Sequence, residues 1–284
     1  MSKEQKPYQI EKTDDLDTII VSWIITHACQ ERCGYCISPN ISQELTTKKE
    51  HFSVQDKLIA GGLTKNRYIG GEPLTIPHLP DLIVDAHDKG VNTRLSTNGI
   101  LLTEKKFREV APSLDSIAFP FESLNDEDNE RIRGSRNHRQ IIVSRIEMVK
   151  AEGNMGLLIN TCVHRENIDH LEDLGGLLNE LGIDHWKLRR FYSESGRGAV
   201  VNKSRFDITD EEFYRKIESL RRMYPALKID GRMPSKLASR LMVSPRGDLY
   251  RMFWEDENEG FTIYGNLLHD DLSIRDISIR DKCD

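Results

Sequence analysis

Thr26-His-Ala-Cys29-Gln-Glu-Arg-Cys33-Gly-Tyr-Cys36-Ile-Ser38 carries three cysteines spaced C-x3-C-x2-C. The apolar run Thr18-Ile-Ile-Val-Ser-Trp-Ile-Ile25 leads into it and reads as a strand over 18–26, with the cysteines on the loop that follows. Thiolates are soft ligands, preferred by iron–sulfur clusters and by zinc. Three on one loop can hold three irons of a cubane and leave the fourth open. A structural zinc site wants four protein ligands, usually as two separated pairs, and this chain has no second C-x-x-C pair. Cys162 and Cys283 lie far away in sequence, and five cysteines in 284 residues do not suit a disulfide scaffold.

Outward from that loop, short apolar segments alternate with amphipathic ones. Strands are expected at 67–69, 93–97, 114–119, 156–161 and 185–190, with helices between them. Ser53 is a plausible cap for the first helix, and 79–89, 126–133, 139–152 and 168–181 follow. Six strand–helix units in sequence predict right-handed crossovers and a parallel α/β sheet. They are too few for a closed eight-stranded barrel, so the expectation is a partial (βα)6 barrel with ligand groups at the C-terminal strand ends. Residues 193–207 read as a loop over the barrel mouth, and Thr209-Asp-Glu-Glu212 as a capping box opening a helix to Met223. Strand signals at 241–244 and 248–252 flank a turn at Pro245-Arg-Gly247. The expected division is a barrel over 1–195 and a C-terminal cap over 196–284.

Totals limit the function. A net charge of −6 gives no sign of a polyanion-binding surface and argues against a nucleic-acid partner. The longest apolar run is less than half of the roughly 20 residues that span a bilayer. No signal-peptide core opens the chain, so a cytoplasmic location without membrane attachment is expected.

With Tyr35 directly before the last cysteine, the motif resembles the signature of the radical S-adenosylmethionine (SAM) superfamily. The resemblance implies a 4Fe–4S cluster on Cys29, Cys33 and Cys36, whose open iron takes the amino and carboxylate groups of SAM. It implies one-electron cleavage of SAM to methionine and a 5′-deoxyadenosyl radical, which abstracts a substrate hydrogen. It also implies a six-unit open barrel and a flavodoxin- or ferredoxin-type electron donor.

Further stretches match the superfamily. Gly70-Gly71-Glu72-Pro73 resembles its GGEP turn for the SAM amino group; glycines there admit close backbone approach. Ser96 and Asn98, in Ser-Thr-Asn-Gly99, resemble its ribose contacts. Arg133 fits the arginine that holds the SAM carboxylate, a group suited to bidentate carboxylate binding; Arg131 competes with it. Pro120 stands where the pattern has a serine, with Ser123 as a weak substitute. Asn160 matches an asparagine placed near SAM. On the sixth strand, alternation sends Lys187 and Arg189 to one face and Arg190 to the other, with Arg189 a further cofactor candidate. Tyr35 joins the cofactor group, and Glu122, Cys162 and Tyr250 are the catalytic candidates. Each has a plain alternative: a βα turn for Gly70-Gly71, an Asn-Gly turn for Asn98, a small core residue for Cys162. The tail Ser244–Tyr250 with Tyr264-Gly-Asn-Leu267 resembles one that holds auxiliary clusters in relatives, but only Cys283 remains there. One cluster per chain is therefore expected.

Finer features resemble viperin and its prokaryotic relatives: Leu114–Ser123 with Arg136-Asn-His138, Ile159-Asn-Thr161, Trp186-Lys-Leu188 and Phe206–Phe213. That resemblance implies a nucleotide substrate, dehydrated after abstraction of a ribose hydrogen. Lys48, Lys49, Arg197, Lys203 and Arg205 are the cations available for its phosphates. Alternatives are a sugar, an aminocyclitol or another small metabolite, a peptide, or a zinc-stabilised binding protein without enzymatic activity.

Overall fold

The computed structural model describes residues 18–38, 44–193, 196, 198–232, 240–255, 258–275 and 277. Seven strands run parallel in chain order: β1 (Ile19–Thr26), β2 (Leu63–Gly70), β3 (Asn92–Ser96), β4 (Ser116–Pro120), β5 (Gly156–Val163), β6 (His185–Arg190) and β7 (Ile229–Arg232). Between them lie α1 (Lys48–Ala60), α2 (Leu79–Asp88), α3 (Glu104–Val110), α4 (Asp126–Arg133), α5 (His138–Glu152), α6 (Leu171–Glu180), α7 (Lys203–Phe206) and α8 (Asp210–Met223). β8 (Arg240–Val243) returns to pair in parallel with β1, and β9 (Asp248–Glu255) and β10 (Asn258–Asn266) extend that flank antiparallel. The sheet is an open α/β array of the partial-barrel kind, with β10 at one edge and β7 at the other.

Alternation gives the two faces of this sheet different chemistry. Val21, Trp23, Ile25, Tyr68, Leu95, Ile117, Phe119, Ile159, Trp186 and Leu188 are buried in one core. Polar atoms that enter it find partners. Tyr68 Oη donates to Gln55 Oε1 of α1 at 2.6 Å, and Trp186 Nε1 donates to Thr161 Oγ1 at 2.9 Å. The opposite parity carries Ser22, Arg67, Arg94, Ser116, Asn160, Cys162, Lys187 and Arg189. A parallel sheet buried on both faces would read as unbroken apolar runs. This second face, where those groups sit among Ile24, Ile69, Ala118 and Leu158, is the concave wall at whose rim the cysteine loop sits.

Three local expectations change. α1 begins at Lys48, because Thr47 and Glu50 close a reciprocal capping box whose cap, Thr47, lies six residues before the expected Ser53. β7 adds a seventh parallel strand that four residues of mixed polarity did not announce. It is pinned under α8, where a Cβ on Gly231 would lie 2.7 Å from Ile217 Cγ1. β10 was also not read as a strand: at the sheet edge Phe261, Thr262 and Ile263 are all exposed, so no two-residue alternation marks it. The residues after 196 thus contribute four strands, β7 to β10, to the barrel's own sheet.

Candidate cluster and cofactor site

The cysteine loop leaves the C-terminal end of β1 and is tied down at once. Glu44 accepts from Thr26 Oγ1 and from the His27 N–H, both at 2.7 Å, and His27 Nδ1 lies 2.7 Å from Ser38 Oγ. The turn after β2 docks beside it through Gly71 N–H to Thr26 O (2.7 Å) and Glu72 N–H to Ala28 O (2.8 Å). Glycine is required at this seam. A Cβ on Gly71 would sit 2.6 Å from His27 O and closer still to Ala28 O, and Gly70 has φ of 148°.

All three cysteines are half-buried residues. Backbone N–H groups of Glu31 and Ser38 point at Cys29 Sγ and Cys36 Sγ, each at 3.4 Å, and Asn98 Nδ2 lies 3.8 Å from Cys29 Sγ. A neutral thiol is a weak acceptor, whereas a thiolate gains from each such donor. Burial pushes the Cys33 thiol up to about 12, so ionising it calls for a metal's positive charge. Among the described residues no three His, Cys, Asp or Glu side chains converge on a point where one ion would bind. A cluster asks for no such point, since each thiolate meets a different iron. The donor set therefore fits an iron–sulfur cluster.

Glu72 is fully buried and organises the next layer. It accepts from Leu74 N–H (3.0 Å), Thr97 Oγ1 (2.8 Å) and Asn98 N–H (2.7 Å), joining the ends of β2 and β3. Burial raises its carboxyl above the usual range, opposed by those three donors. Asn98 Oδ1 accepts from Gln30 Nε2 at 2.9 Å, which places Asn98 against the cysteine loop. Ser96 ends β3 on the concave parity, half-buried.

From the far side, Arg133 of α4 reaches the same loop. It is buried against Glu31, Glu122 and Tyr35, whereas Arg131 is exposed and pairs with Asp128 and Glu166. Beneath the loop a small second core gathers Ile132, Phe191, Ala199 and Phe206, with Tyr35 and Cys162 packed on it. The segment after β6 closes over this core. Gly198 and Ala199 N–H groups both donate to Cys36 O (3.1 and 3.2 Å), and Asn202 Nδ2 donates to Gly34 O at 3.1 Å.

The structure thus gathers Cys29, Cys33, Cys36, Tyr35, Gly70, Gly71, Glu72, Pro73, Asn98, Glu122, Arg133 and Cys162 around the loop. Asn160 lies opposite Pro120 and Lys187 in the sheet, and Cys162 opposite Arg189, which approaches Asp230 at 3.9 Å. Tyr250 stays apart on β9, two strands beyond β1, against Phe261. Two of the cations expected for phosphates are held in ion pairs. Lys48 pairs with Asp81 at 2.6 Å and Arg205 with Glu166 at 2.5 Å, and Arg197 lies outside the described residues. Cys283 lies outside them too.

Four participants were not singled out from the sequence: Gln30, Glu31, Glu44 and Thr97. Gln30 and Glu31 sit inside the cysteine motif as ordinary polar spacers. The one available signal was Glu31, an acid between ligands in a chain with two arginines, Arg131 and Arg133, on α4.

A family model described as the radical SAM superfamily matches residues 23–178, more than half of the chain. Streptococcus suis SuiB bound to its precursor peptide SuiA superposes with a TM-score of 0.69 at 15% identity, covering 82% of this chain and 58% of SuiB. The anSMEcpe structure with bound AdoMet gives a TM-score of 0.70 at 12% identity, covering 91% of this chain and 79% of that one. HydG, a maturase of the [FeFe]-hydrogenase, gives 0.57 at 13% identity, covering 75% and 51%. The chain spans less than two thirds of SuiB, and at these identities the likeness shows a shared fold.

Proposed function

The chain belongs to the radical SAM superfamily, whose members use a 4Fe–4S cluster and SAM, and from that premise we propose that it cleaves SAM reductively and abstracts hydrogen from a small-molecule substrate on the concave wall. The observation that carries this reading is the single hydrogen-bonded unit made from the ends of β1, β2 and β3. In it Glu72 N–H meets Ala28 O, and Asn98 touches both Glu72 and Cys29. When bound, cluster and SAM supply one-electron cleavage of a sulfonium to methionine and a 5′-deoxyadenosyl radical.

The chain's own residues do the rest. Cys29, Cys33 and Cys36 hold the irons, and nearby N–H groups support their charge. Gly70–Pro73 keeps the turn close enough for its carbonyls to meet an ammonium group, and Ser96 and Asn98 stand at the β3 end for a ribose. Asn160, Lys187 and Arg189 face the concave side beside them. Four cations share that wall, Arg67, Arg94, Lys187 and Arg189, and its positive character, with the viperin-like stretches, supports a substrate bearing phosphate. A reduced flavodoxin- or ferredoxin-type protein is the proposed donor, in the cytoplasm. Among the described residues no helix is long and apolar enough to cross a membrane.

A peptide substrate is the second reading, favoured because SuiB and anSMEcpe were each solved with peptides. Anaerobic 5′-deoxyadenosine release, tested across nucleotides, sugars and peptides, separates the two: the true substrate class accelerates release and, when deuterated, passes its label to 5′-deoxyadenosine. Cys33→Ala is expected to lose both cluster and cleavage, and retained cleavage would overturn the mechanism.

A further inference from the structure

Arg133 is 2% exposed, and three of its nitrogens are committed within the protein. Nε donates to Glu31 Oε1 at 3.1 Å and Nη2 donates to Glu31 Oε2, a two-pronged grip on a carboxylate of the cysteine loop itself. Nη1 donates to Glu122 Oε2 at 2.6 Å and to Tyr35 Oη. The backbone repeats the seam: Arg32 N–H donates to Arg133 O at 3.2 Å and Gly34 N–H to Ile132 O at 2.8 Å. His138 closes the far side. Its Nε2 lies 3.1 Å from Pro120 O, and its Nδ1 lies 3.8 Å from Glu31 Oε1.

A guanidinium binds one carboxylate through its Nε/Nη2 edge, so a second carboxylate can take that edge only if the first leaves. Expelling Glu31 would strand a buried charge, which is strongly unfavourable. We propose that Glu31 and Arg133 are a positioning pair that fixes the cysteine loop on α4. Arg133 stays on Glu31 when SAM binds and does not serve the ligand's carboxylate. The second statement rests on the radical SAM reading; the first stands without it.

The test is a double-variant cycle on Glu31→Gln and Arg133→Lys. In the full-length apoprotein, hydrogen exchange of the Arg32 and Gly34 amides is expected to quicken at least about tenfold in each single variant. The double variant should be no faster than the singles, because both remove one interaction. Unchanged exchange in Glu31→Gln overturns the clamp whether or not a cluster ever forms, and so does multiplicative acceleration in the double variant. Should Arg133→Lys fail to fold, the near-isosteric Glu31→Gln carries this arm alone.

In the reconstituted enzyme both single variants should shift the electron paramagnetic resonance spectrum of the reduced cluster, since Glu31 Oε2 lies 4.0 Å from Cys33 Sγ. The SAM dissociation constant per loaded cluster should stay within about threefold of wild type. An unmoved spectrum in both variants overturns the positioning role. A rise of about tenfold or more in that constant for Arg133→Lys, with Glu31→Gln normal, overturns the exclusion of Arg133 from SAM.

Discussion

The backbone N–H of Asn98 donates to Glu72 Oε2 at 2.7 Å, so the end of β3 is held by a carboxylate that belongs to the end of β2. Thr97 Oγ1 meets the other oxygen of the same group at 2.8 Å. One buried side chain thereby sets the spacing between the Gly70–Pro73 turn and the residue that touches Cys29.

Replacing Glu72 tests that arrangement. Glu72→Ala leaves the Leu74 and Asn98 N–H groups and the Thr97 hydroxyl buried without their acceptor, at about 1–3 kcal/mol for each such group. The expected outcome is a melting temperature lower by several degrees and weaker SAM binding, with iron content preserved. Calorimetry and iron analysis on one preparation check both, and a variant that melts like wild type would refute the structural role.

Gly71→Ala should strike the iron instead. Its Cβ would collide with His27 O and Ala28 O, backbone atoms that cannot swing aside as a side chain can. The turn or the cysteine loop must shift. Iron and sulfide per chain after anaerobic reconstitution are expected to fall severalfold.

Cys162→Ser should leave iron and sulfide at wild-type levels. Cys162 packs with Tyr35 on the small core under the loop, off the loop itself, and burial holds its thiol well above the usual range. A small loss of stability is expected from putting a hydroxyl into an apolar niche. Halved iron would instead mark it as a ligand.

Glu212 gives a pH dependence with a definite sign. The Arg165 guanidinium, with Thr209 at the start of α8, lowers its carboxyl from an ordinary 4.5 to about 2. A depressed folded-state value means the ionised form is favoured by folding. Its contribution is therefore full above about pH 4.5 and fades as pH falls toward about 2. The melting-temperature gap between wild type and Glu212→Gln should be clear near neutral pH, narrow across that window and vanish at its lower end.

The alternation of strands and helices was legible in the sequence because each element carries its own period. β6 was readable to the residue, since Trp186 and Leu188 must enter the core while Lys187 and Arg189 must not. The Thr209–Glu212 capping box was equally plain. β7 was not, because four residues of mixed polarity become a strand only when β6 offers a ladder and Ile217 a lid. The start of α1 was missed because two caps compete locally, and Thr47 wins by making both halves of the reciprocal bond.

At the site, Cys29, Cys33, Cys36 and the Gly70–Pro73 turn were visible because ligand spacing and glycine demands are local properties of the chain. Glu31 and its bond to Arg133 were not. The two are 102 residues apart, and a buried ion pair leaves no trace in either segment alone. Sequence by itself determined the parallel sheet and the thiolate loop, since strand period and ligand chemistry are written in adjacent residues. Only the tertiary structure decided which charged groups hold that loop, because pairing across the barrel depends on where distant chain segments come together.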